Sequence, residues 1–457
     1  MHSVKSITSN NKAIILFLVV LFISVFAQAQ ENSPYSRYGM GDLVPAQSIS
    51  SRSMGGVSAA LIDSFKFGTF SSNLNINNPA SLGYIKSTVF DFGVEVDRKT
   101  LRSNTSPAKY TAKNAIISYF QLGFPLTTPK MLKKDMGMGV SFGLRPITKV
   151  NYKIIGTSYL RGIDTVGTLY EGTGGINQVN ISTGLRVKKF SVGITGAYNF
   201  GNKETSSKRE FFNDTVRYQS SNADVRTTFG GISTAIGAQY AIMLKDSAHI
   251  TLGATANFGY NLKGKRDRLD ETFIFGQNNE VISIDTVKYN KDAIGKIKMP
   301  ASYTVGFVYN DKAAHWLVGA DINFAQWSAY RNYGQTDAVK NSMKIHVGAQ
   351  YIPATEKTTA NKFWQFVKYR AGFYYGNDYI NLGTTRPDFA FTFGTGMPLT
   401  SLRKFQKYNY DLILLNAGIE LGQRGSKTNQ SLREGIFRFN VGVSFSTNSW
   451  FNKRKYY

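Results

Sequence analysis

The sequence predicts an all-β protein: a transmembrane antiparallel β-barrel of about fourteen strands with an N-terminal hatch or plug segment. Three observations lead to this prediction. The N-terminus of the 457-residue chain has the pattern of an export signal; large apolar residues then alternate with small or polar ones from about residue 86 onward; and one face of that alternation is almost purely aliphatic and aromatic. The boundaries we predict are 1–29 for a signal peptide, 30–85 for the hatch, 86–447 for the barrel and 448–457 for a basic, aromatic C-terminal tail.

The first element is the signal peptide. Lys5 and Lys12 precede an apolar run from Ala13 to Phe26, and Ala27-Gln28-Ala29 follows it. The run is too short for a membrane-spanning helix, and the small-x-small triplet predicts cleavage after Ala29. Loss of the two lysines lowers the formal net charge from +25 to +23. The chain has no cysteine, which excludes a lipid-anchored lipoprotein, disulfides and thiolate zinc sites.

The barrel strands are predicted from period-2 alternation. In the run from Val179 to Lys188, for example, apolar residues alternate with Asn180, Ser182 and Gly184. A soluble β-sandwich also alternates, but here the second face is rich in Gly, Ser, Thr and Asn, as in a barrel with lipid outside and a polar interior. Runs of nine to eleven residues suit tilted strands that cross a membrane, and closure leaves no open edge in lipid. Aromatic residues at strand ends are expected to form interfacial girdles; they are Tyr198, Phe200, Tyr260, Tyr309, Trp316, Trp327, Tyr351, Tyr375 and Trp450.

The connections fall into two length classes. Short turns at Lys188-Lys189 and from Asn310 to His315 suit the periplasmic end, and long polar segments suit the outside. The long segments lie at about 97–112, 201–222, 262–298, 326–341 and 376–388. We expect 262–298, with its dense charges of both signs, to be a solvated loop. The run from Phe437 to Phe445 is the expected closing strand, and the tail after it is an expected interfacial anchor.

Residues 30–85 differ from the rest because they are rich in Ser, Gly, Asn and Ala, which favours compact burial inside the barrel over a periplasmic extension. Their motifs, Gly-Gly-x-x-x-Ala from Gly55 and Asn-Pro-Ala-Ser-Leu from Asn78, together with 32–43 and 52–56, resemble the FadL/TodX-like outer-membrane transporters, and Bacteroidota-type members in particular. The resemblance implies a fourteen-stranded barrel with an internal hatch, through which hydrophobic molecules pass to a lateral exit. It also implies that Gly55, Gly56, Asn78, Pro79 and Ala80 are hatch residues.

Several charged residues fall on the predicted inward face of the strands. They are Asp91, Glu95, Arg145, Arg186, Lys188, Asp321, Lys344, His346, Lys368 and Arg370. The cations among them either bias the lumen toward anions, such as a carboxylate head group, or serve as partners for the lumen carboxylates. The other basic residues, at strand ends and in loops, are expected to contact outer-membrane lipid, and export argues against nucleic acid.

The search for catalytic chemistry is negative. The three histidines of the mature chain, His249, His315 and His346, lie in different strand regions, so we expect no metal site and no cofactor. No nucleophile elbow is present, and we expect no enzymatic activity.

Two hypotheses for function remain. The first is a passive outer-membrane channel for small hydrophobic or amphipathic molecules, of the fatty-acid or aromatic-hydrocarbon class, working without energy coupling. The alternative is a structural or adaptor barrel within an outer-membrane secretion or barrel-assembly complex, whose partners would be other outer-membrane proteins.

Overall fold

The computed structural model describes residues 33–62, 71–103, 109–161, 164–212, 216, 218–244, 248–276, 281–312, 315–354, 362–400, 411–426 and 432–447. The predicted signal peptide and the basic, aromatic tail, including Trp450, lie outside the described residues. No helix within the described ranges is long and apolar enough to cross a membrane.

Antiparallel strands make up most of the described chain. The short strand β1 covers Asp42–Leu43 and precedes the wall strands. The others are β2 Thr88–Arg102, β3 Lys109–Pro125, β4 Met136–Leu160, β5 Asp164–Val187, β6 Phe190–Phe212, β7 Ser220–Met243, β8 His249–Asn257, β9 Tyr260–Phe275, β10 Val281–Met299, β11 Ser302–Asn310, β12 Trp316–Ala325, β13 Arg331–Asn332, β14 Ser342–Tyr351, β15 Lys368–Asn377, β16 Pro387–Pro398, β17 Leu412–Arg424 and β18 Arg433–Thr447.

Helices are short. Where the structure describes the chain, the α-helices are α1 Ile49–Arg52 and α2 Pro129–Lys133, and 3-10 turns lie at Pro34–Arg37, Pro79–Tyr84, Trp327–Ala329 and Phe363–Gln365. Each of α1 and the turn at Pro79–Tyr84 begins at a capping side chain, Ser48 and Asn78 respectively, which accepts a hydrogen bond from a backbone N–H of the first turn.

The strands close into a fourteen-stranded antiparallel barrel, which confirms the predicted fold class. Strands β8 and β9 form one wall strand interrupted at 258–259, and both pair with β7. Strands β10 and β11 form the next wall strand, interrupted at 300–301. Pairing of β18 with β2, from Arg433↔Arg102 to Thr447↔Thr88, closes the wall. Closure satisfies the backbone groups that an open sheet would leave exposed to lipid.

The alternation expected from the sequence is present along the wall. On β5, Val179 and Ile181 are about half exposed on the outer surface, whereas Asn180 and Ser182 between them are buried toward the lumen. This arrangement places apolar side chains in lipid and hydrogen-bonding side chains inside.

The wall is much higher on one side than on the other. Strands β4 to β7 have 23 to 25 residues, whereas β12, β14 and β15 have 10 each, close to what one membrane crossing needs. We call the long strands β4–β7, β9 and β10 the tall wall, and the end at which they project the tall end. The opposite end carries short turns such as Lys188-Lys189 and is the periplasmic end in the usual orientation of bacterial barrels.

The prediction of a solvated loop at 262–298 is wrong, because most of this segment is the β9–β10 hairpin of the tall wall. The long connections predicted near 97–112 and 201–222 are likewise largely strand. Above the membrane both faces of a strand meet water or other polar groups, so the apolar alternation that identifies a membrane strand is lost.

The N-terminal segment lies inside the barrel and runs along its axis. At the tall end, Tyr35 and Met40 pack with Trp327, Tyr330 and Tyr379 in a buried apolar cluster. At the periplasmic end a second cluster comprises Leu74, Leu82, Ile85 and Val89. Apolar clusters thus lie near both ends of the barrel, with a polar region between them.

Candidate functional site

Buried charges concentrate on one side of the lumen. They lie on the inward faces of β2, β14, β16, β17 and β18 and in the β15–β16 connection, and we call this surface the charged wall. Its buried residues are Glu95, Asp97, Lys99, Asp378, Arg386, Asp388, Glu420, Arg424, Glu434 and Arg438, and the half-buried Lys344 lies beside them. Burial of so many charges is tolerable only when each is paired and hydrogen-bonded.

Arg52 of α1 enters the middle of the charged wall. Its Nη1 lies 2.6 Å from Glu95 Oε2, and its Nη2 lies 3.5 Å from Glu420 Oε2. Arg438 completes the group, with 2.6 Å from its Nη1 to Glu420 Oε1 and 3.3 Å from its Nε to Glu95 Oε1. Two guanidinium groups thus alternate with two carboxylates, and one of the cations belongs to the N-terminal segment. Arg52 thus fastens the segment to β2 and β17, and Arg438 of β18 bridges the same two carboxylates.

Asp42 forms a second attachment nearer the tall end. One carboxylate oxygen lies 2.6 Å from Lys99 Nζ and the other 3.0 Å from Arg424 Nη2. Arg424 in turn contacts Glu434 at 2.5 Å. Burial alone would raise the pKa of Asp42, but the cations of Arg424 and Lys99 outweigh burial and lower the pKa well below its usual value. Asp42 is therefore a permanent anion at any physiological pH.

Backbone groups of the segment bind two further wall residues. Asp321 Oδ2 on β12 accepts hydrogen bonds from the N–H groups of Ser58 and Ala59, at 2.6 and 2.8 Å. His346 Nδ1 on β14 donates to the Gly55 carbonyl at 2.6 Å. Gly55 has φ +69°, and a Cβ there would meet the wall backbone, so glycine is required at this close approach.

Near the periplasmic end the N-terminal segment is held by close packing against the wall backbone. Glycines of the tall-wall strands make room for the turn at Pro79–Tyr84: a Cβ added to Gly184 or Gly193 would overlap the backbone of Pro79. Asn78 accepts from the Ala80 N–H at 3.0 Å and donates to the carbonyls of Ala59 and Ala238, at 2.5 and 3.3 Å. The residues of the Asn78–Ala80 motif thus lie buried against strands β5 to β7.

Between the two apolar clusters lies a cavity of about 370 Å³. Charged side chains line one side, among them Glu420 and Arg438 of the charged wall and Arg52 of the N-terminal segment. Apolar residues contribute on the other side, among them Ile147, Phe258 and Met299. The cavity is large enough for a small molecule, but its walls are of mixed polarity.

The other predicted lumen residues lie in different settings. Asp91 accepts from Ser444 Oγ at 3.0 Å, and Lys368 Nζ donates to Ser72 Oγ at 2.8 Å; both are buried. Arg370 donates to Gln350 and Asn416, each at 2.8 Å. Lys344 pairs with Asp388.

Two of the predicted cations lie on tall-wall strands, Arg145 on β4 and Arg186 on β5, and a third lies in the turn that follows β5. Arg145 donates to Gln178 at 2.9 Å and to the Ala46 carbonyl at 3.2 Å. Arg186 pairs at 2.6 Å with the largely exposed Asp135 near the periplasmic end. Lys188 differs from its predicted position: it lies in the β5–β6 turn with φ 54° and an exposed side chain. The inward alternation of β5 ends at the turn, one step before this residue.

Sequence reasoning missed Asp42 and Arg52, which pair with residues far away in the chain. It also missed Glu420 and Arg438, for which a signal existed, since each alternates with apolar neighbours: Ile419 and Leu421 in one case, Phe437 and Phe439 in the other. Among the described residues, no group of His, Asp and Glu side chains is arranged to hold a metal ion.

Comparison with known proteins gives three kinds of result. No curated protein matches the chain. Among solved structures, the Ralstonia pickettii toluene transporter TbuX superposes with a TM-score of 0.51 at 16% identity, covering 88% of this chain and 99% of that one. A Pseudomonas aeruginosa FadL homologue gives 0.52 at 13% identity, with 89% and 99% covered. A deletion mutant of the TodX monoaromatic hydrocarbon channel gives 0.52 at 17% identity, with 89% and 99% covered.

Identities this low establish a shared fold, that of FadL-type outer-membrane barrels, and the resemblance predicted from the sequence is confirmed at this level. The protein is accordingly an outer-membrane β-barrel. A family model matches residues 10–457, nearly the entire sequence. On that match, the chain belongs to the BamG family.

Proposed function

We propose that this protein is a closed barrel that acts as a structural or adaptor subunit of an outer-membrane barrel-assembly complex, as the name of its family suggests. The observation that carries the proposal is the attachment of the N-terminal segment by buried ion pairs, Arg52 with Glu95 and Glu420, and Asp42 with Lys99 and Arg424. Separating such a pair inside the barrel leaves uncompensated charges, at a cost of about 3–5 kcal/mol for each break. A barrel whose N-terminal segment is held in the lumen by such pairs is better suited to act as a rigid subunit than as a channel that must open repeatedly.

The chemistry of the cavity supports the same proposal. A site for hydrophobic molecules is lined mainly by apolar side chains with few polar groups. Here Arg52, Glu420 and Arg438 line the cavity together with Asp378 and Asp388. An apolar ligand would leave these charged groups without water and without new partners, which is unfavourable.

The test is purification of the tagged full-length protein from native outer membranes in mild detergent, followed by native mass spectrometry. We expect a stoichiometric complex with other outer-membrane proteins, including the central barrel of the assembly machinery, and no single-channel conductance in planar bilayers. A monomer that carries a bound fatty acid or aromatic compound would overturn the proposal.

A second candidate function is passive passage of hydrophobic molecules. The shared fold with TbuX and TodX and the cavity of about 370 Å³, with Ile147, Phe258 and Met299 in its lining, favour this candidate. It predicts that a small hydrophobic compound is retained through purification and displaced by a competing one. The same native mass spectra decide between the two functions, because the first expects protein partners and the second a small ligand.

A further inference from the structure

Strands β3 and β4 separate on the way from the periplasmic end to the tall end. They pair only from Phe120↔Leu144 to Pro125↔Gly139. Beyond this point β3 continues along β2, and β4 continues along β5 as far as Leu160↔Asp164. Within the described residues, β4 beyond Leu144 therefore pairs with a wall strand on one side only, and the barrel wall contains a seam between β3 and β4.

The N-terminal segment covers the lower part of this seam. Strand β1 pairs with β4 through Asp42↔Lys149 and Leu43↔Thr148, and the Val44 N–H donates to the Ile147 carbonyl at 3.0 Å. One step higher, Ser36 Oγ donates to the Asn151 carbonyl at 3.1 Å and accepts from its N–H at 3.3 Å. This edge of β4 thus already accepts one added strand, supplied by the chain itself.

Above Asn151, no described strand pairs with β4 on the seam side. Backbone groups alternate between the two sides of a strand, so those of Ile155, Thr157 and Tyr159 point to the same edge as those of Asn151. The side chains of Ile155 and Tyr159 are 75% and 73% exposed. Leu144, on the lipid-facing surface, lies eleven residues below Ile155, which puts this edge roughly 25 Å higher and outside the hydrocarbon layer.

The other edge of the tall wall, on β10, is protected in the ways that proteins use to prevent strand addition. Its pairing with β9 is interrupted by three register shifts, between Ser283 and Asp285, between Thr286 and Lys288, and between Asn290 and Ala293. Lysines at 288, 291, 296 and 298 add charge, and β13 pairs with Ile297 and Lys298. By contrast, β4 pairs without a register shift from Thr148 to Leu160 and contains no proline there. Among the described residues, the β10 edge thus carries features that prevent strand addition, whereas the β4 edge above Asn151 carries no register shift and no proline.

The surroundings of the β4 edge are basic. Lys109 and Lys113 on β3 and Arg98 on β2 are exposed across the seam, and Lys153 lies on β4 itself, where it contacts Glu171 at 3.5 Å. A strand that entered here would meet an excess of positive charge. It would also meet apolar side chains, Ile155 and Tyr159, at alternate positions.

We propose that β4 from Ile155 to Tyr159 is a docking edge for an extended strand of a partner outer-membrane protein, in which acidic residues flank alternating apolar ones. Main-chain hydrogen bonds to the β4 edge would supply affinity, and the cations around the seam would select the partner. This inference rests on the proposed adaptor function, because it names where a partner of the complex is held.

The first experiment places the photo-crosslinking residue p-benzoylphenylalanine at position 155, 157 or 159 of the full-length protein in native outer membranes. Positions 287 and 289 on the protected edge of β10 are the controls. We expect discrete protein adducts from the β4 positions, with crosslinked sites that step along one segment of one partner by two residues at a time, and none from β10.

The outcomes are distinguishable. An intact complex without adducts at β4, or with equal adducts at β10, would overturn the docking edge and leave the adaptor function standing. Adducts with lipid or lipopolysaccharide would overturn it in favour of a lipid contact. Absence of any complex would overturn the adaptor function itself.

The second experiment separates strand pairing from side-chain contact. Thr157→Pro removes an N–H that faces the seam and leaves the ladder to β5 intact, whereas Thr157→Ala removes only the side chain. With the crosslinker at 155, we expect roughly tenfold less adduct for T157P and little change for T157A. The heat-modifiable gel shift checks that both variants form barrels. Equal adduct yields in the two variants would rule out a main-chain interaction.

Discussion

The charged wall and the tall wall of the barrel hold the N-terminal segment by different kinds of interaction. The charged wall holds the N-terminal segment by paired charges, such as Arg52 with Glu95, that are nearly inaccessible to water. The tall wall holds the segment by close backbone contact at glycines such as Gly184 and Gly193, and its cation Arg145 binds amide and carbonyl oxygens, not carboxylates. The charged wall therefore holds the segment by electrostatic attraction. The tall wall holds it by close packing and also provides the surface that projects at the tall end.

The largest effect is expected from a deletion that removes the contacts of the segment with both walls. Deletion of residues 31–84 removes the segment that closes the lumen, and we expect a barrel that still folds but conducts ions in planar bilayers. As a control on the tall wall, replacement of residues 268–290 by an Asn-Gly turn shortens the β9–β10 hairpin above the lumen and should leave conductance unchanged. A deletion variant that folds and does not conduct would show that the segment is not what closes the barrel.

The next prediction compares a buried Arg–Glu ion pair at the charged wall with an exposed Arg–Glu ion pair on the tall wall. Arg52→Met leaves Glu95 and Glu420 buried with one cation fewer, which should cost about 3–5 kcal/mol of the free energy that holds the segment. Arg226→Met on the tall wall breaks the pair with Glu204, at 3.0 Å, whose partners are 63% and 43% exposed, and should cost less than about 1 kcal/mol.

The measurement is the temperature at which the compact gel band is lost, together with bilayer conductance. We expect a lower midpoint and intermittent conductance for Arg52→Met alone. Equal midpoints for the two variants would mean that the charged wall does not fasten the segment.

A smaller effect is expected where the segment is held by shape. Gly193→Ala places a methyl group against the Pro79 backbone and should cost about 1–3 kcal/mol, because a packed contact must shift. Gly196→Ala, on the same strand β6, is the matched control, since a Cβ there meets nothing within 4 Å. Protease sensitivity of the N-terminal segment in detergent reports the shift, and similar cleavage of both variants would contradict the close fit.

The sequence predicts much of the barrel wall and little of how the N-terminal segment is attached inside the lumen. Alternation inside lipid places Glu95, Asp321 and His346 on the inward face, because a membrane strand must separate apolar from polar side chains. The same rule fails for the β9–β10 hairpin, where no lipid imposes the separation. Fourteen strands were expected and fourteen are present.

The partners of the hatch residues are beyond such reasoning. The pairing of Arg52 with Glu420 joins residues 368 positions apart, and it depends on the register of strands that alternation alone leaves free. The seam between β3 and β4 is hidden for a similar reason. Apolar and polar residues alternate along both strands in the paired part, which ends at Phe120↔Leu144. Only the three-dimensional path of the chain shows that the strands separate beyond this pair.

The smallest expected effect concerns pH and tests the electrostatic side of the comparison. Neighbouring cations lower the folded pKa of Asp42 below its unfolded value of 3.8, so its contribution to stability is complete above about pH 5 and is lost progressively as the pH falls below that, through the lowered folded value. The difference in gel-shift midpoint between wild type and Asp42→Asn should therefore stay constant from about pH 7 to about pH 5 and shrink only at lower pH. Asp292→Asn, which breaks the exposed pair with Lys265 on the tall wall, should differ little from wild type at any pH. A wild-type advantage over Asp42→Asn that fades between pH 7 and pH 5 would show that Asp42 is not held as an anion by Lys99 and Arg424.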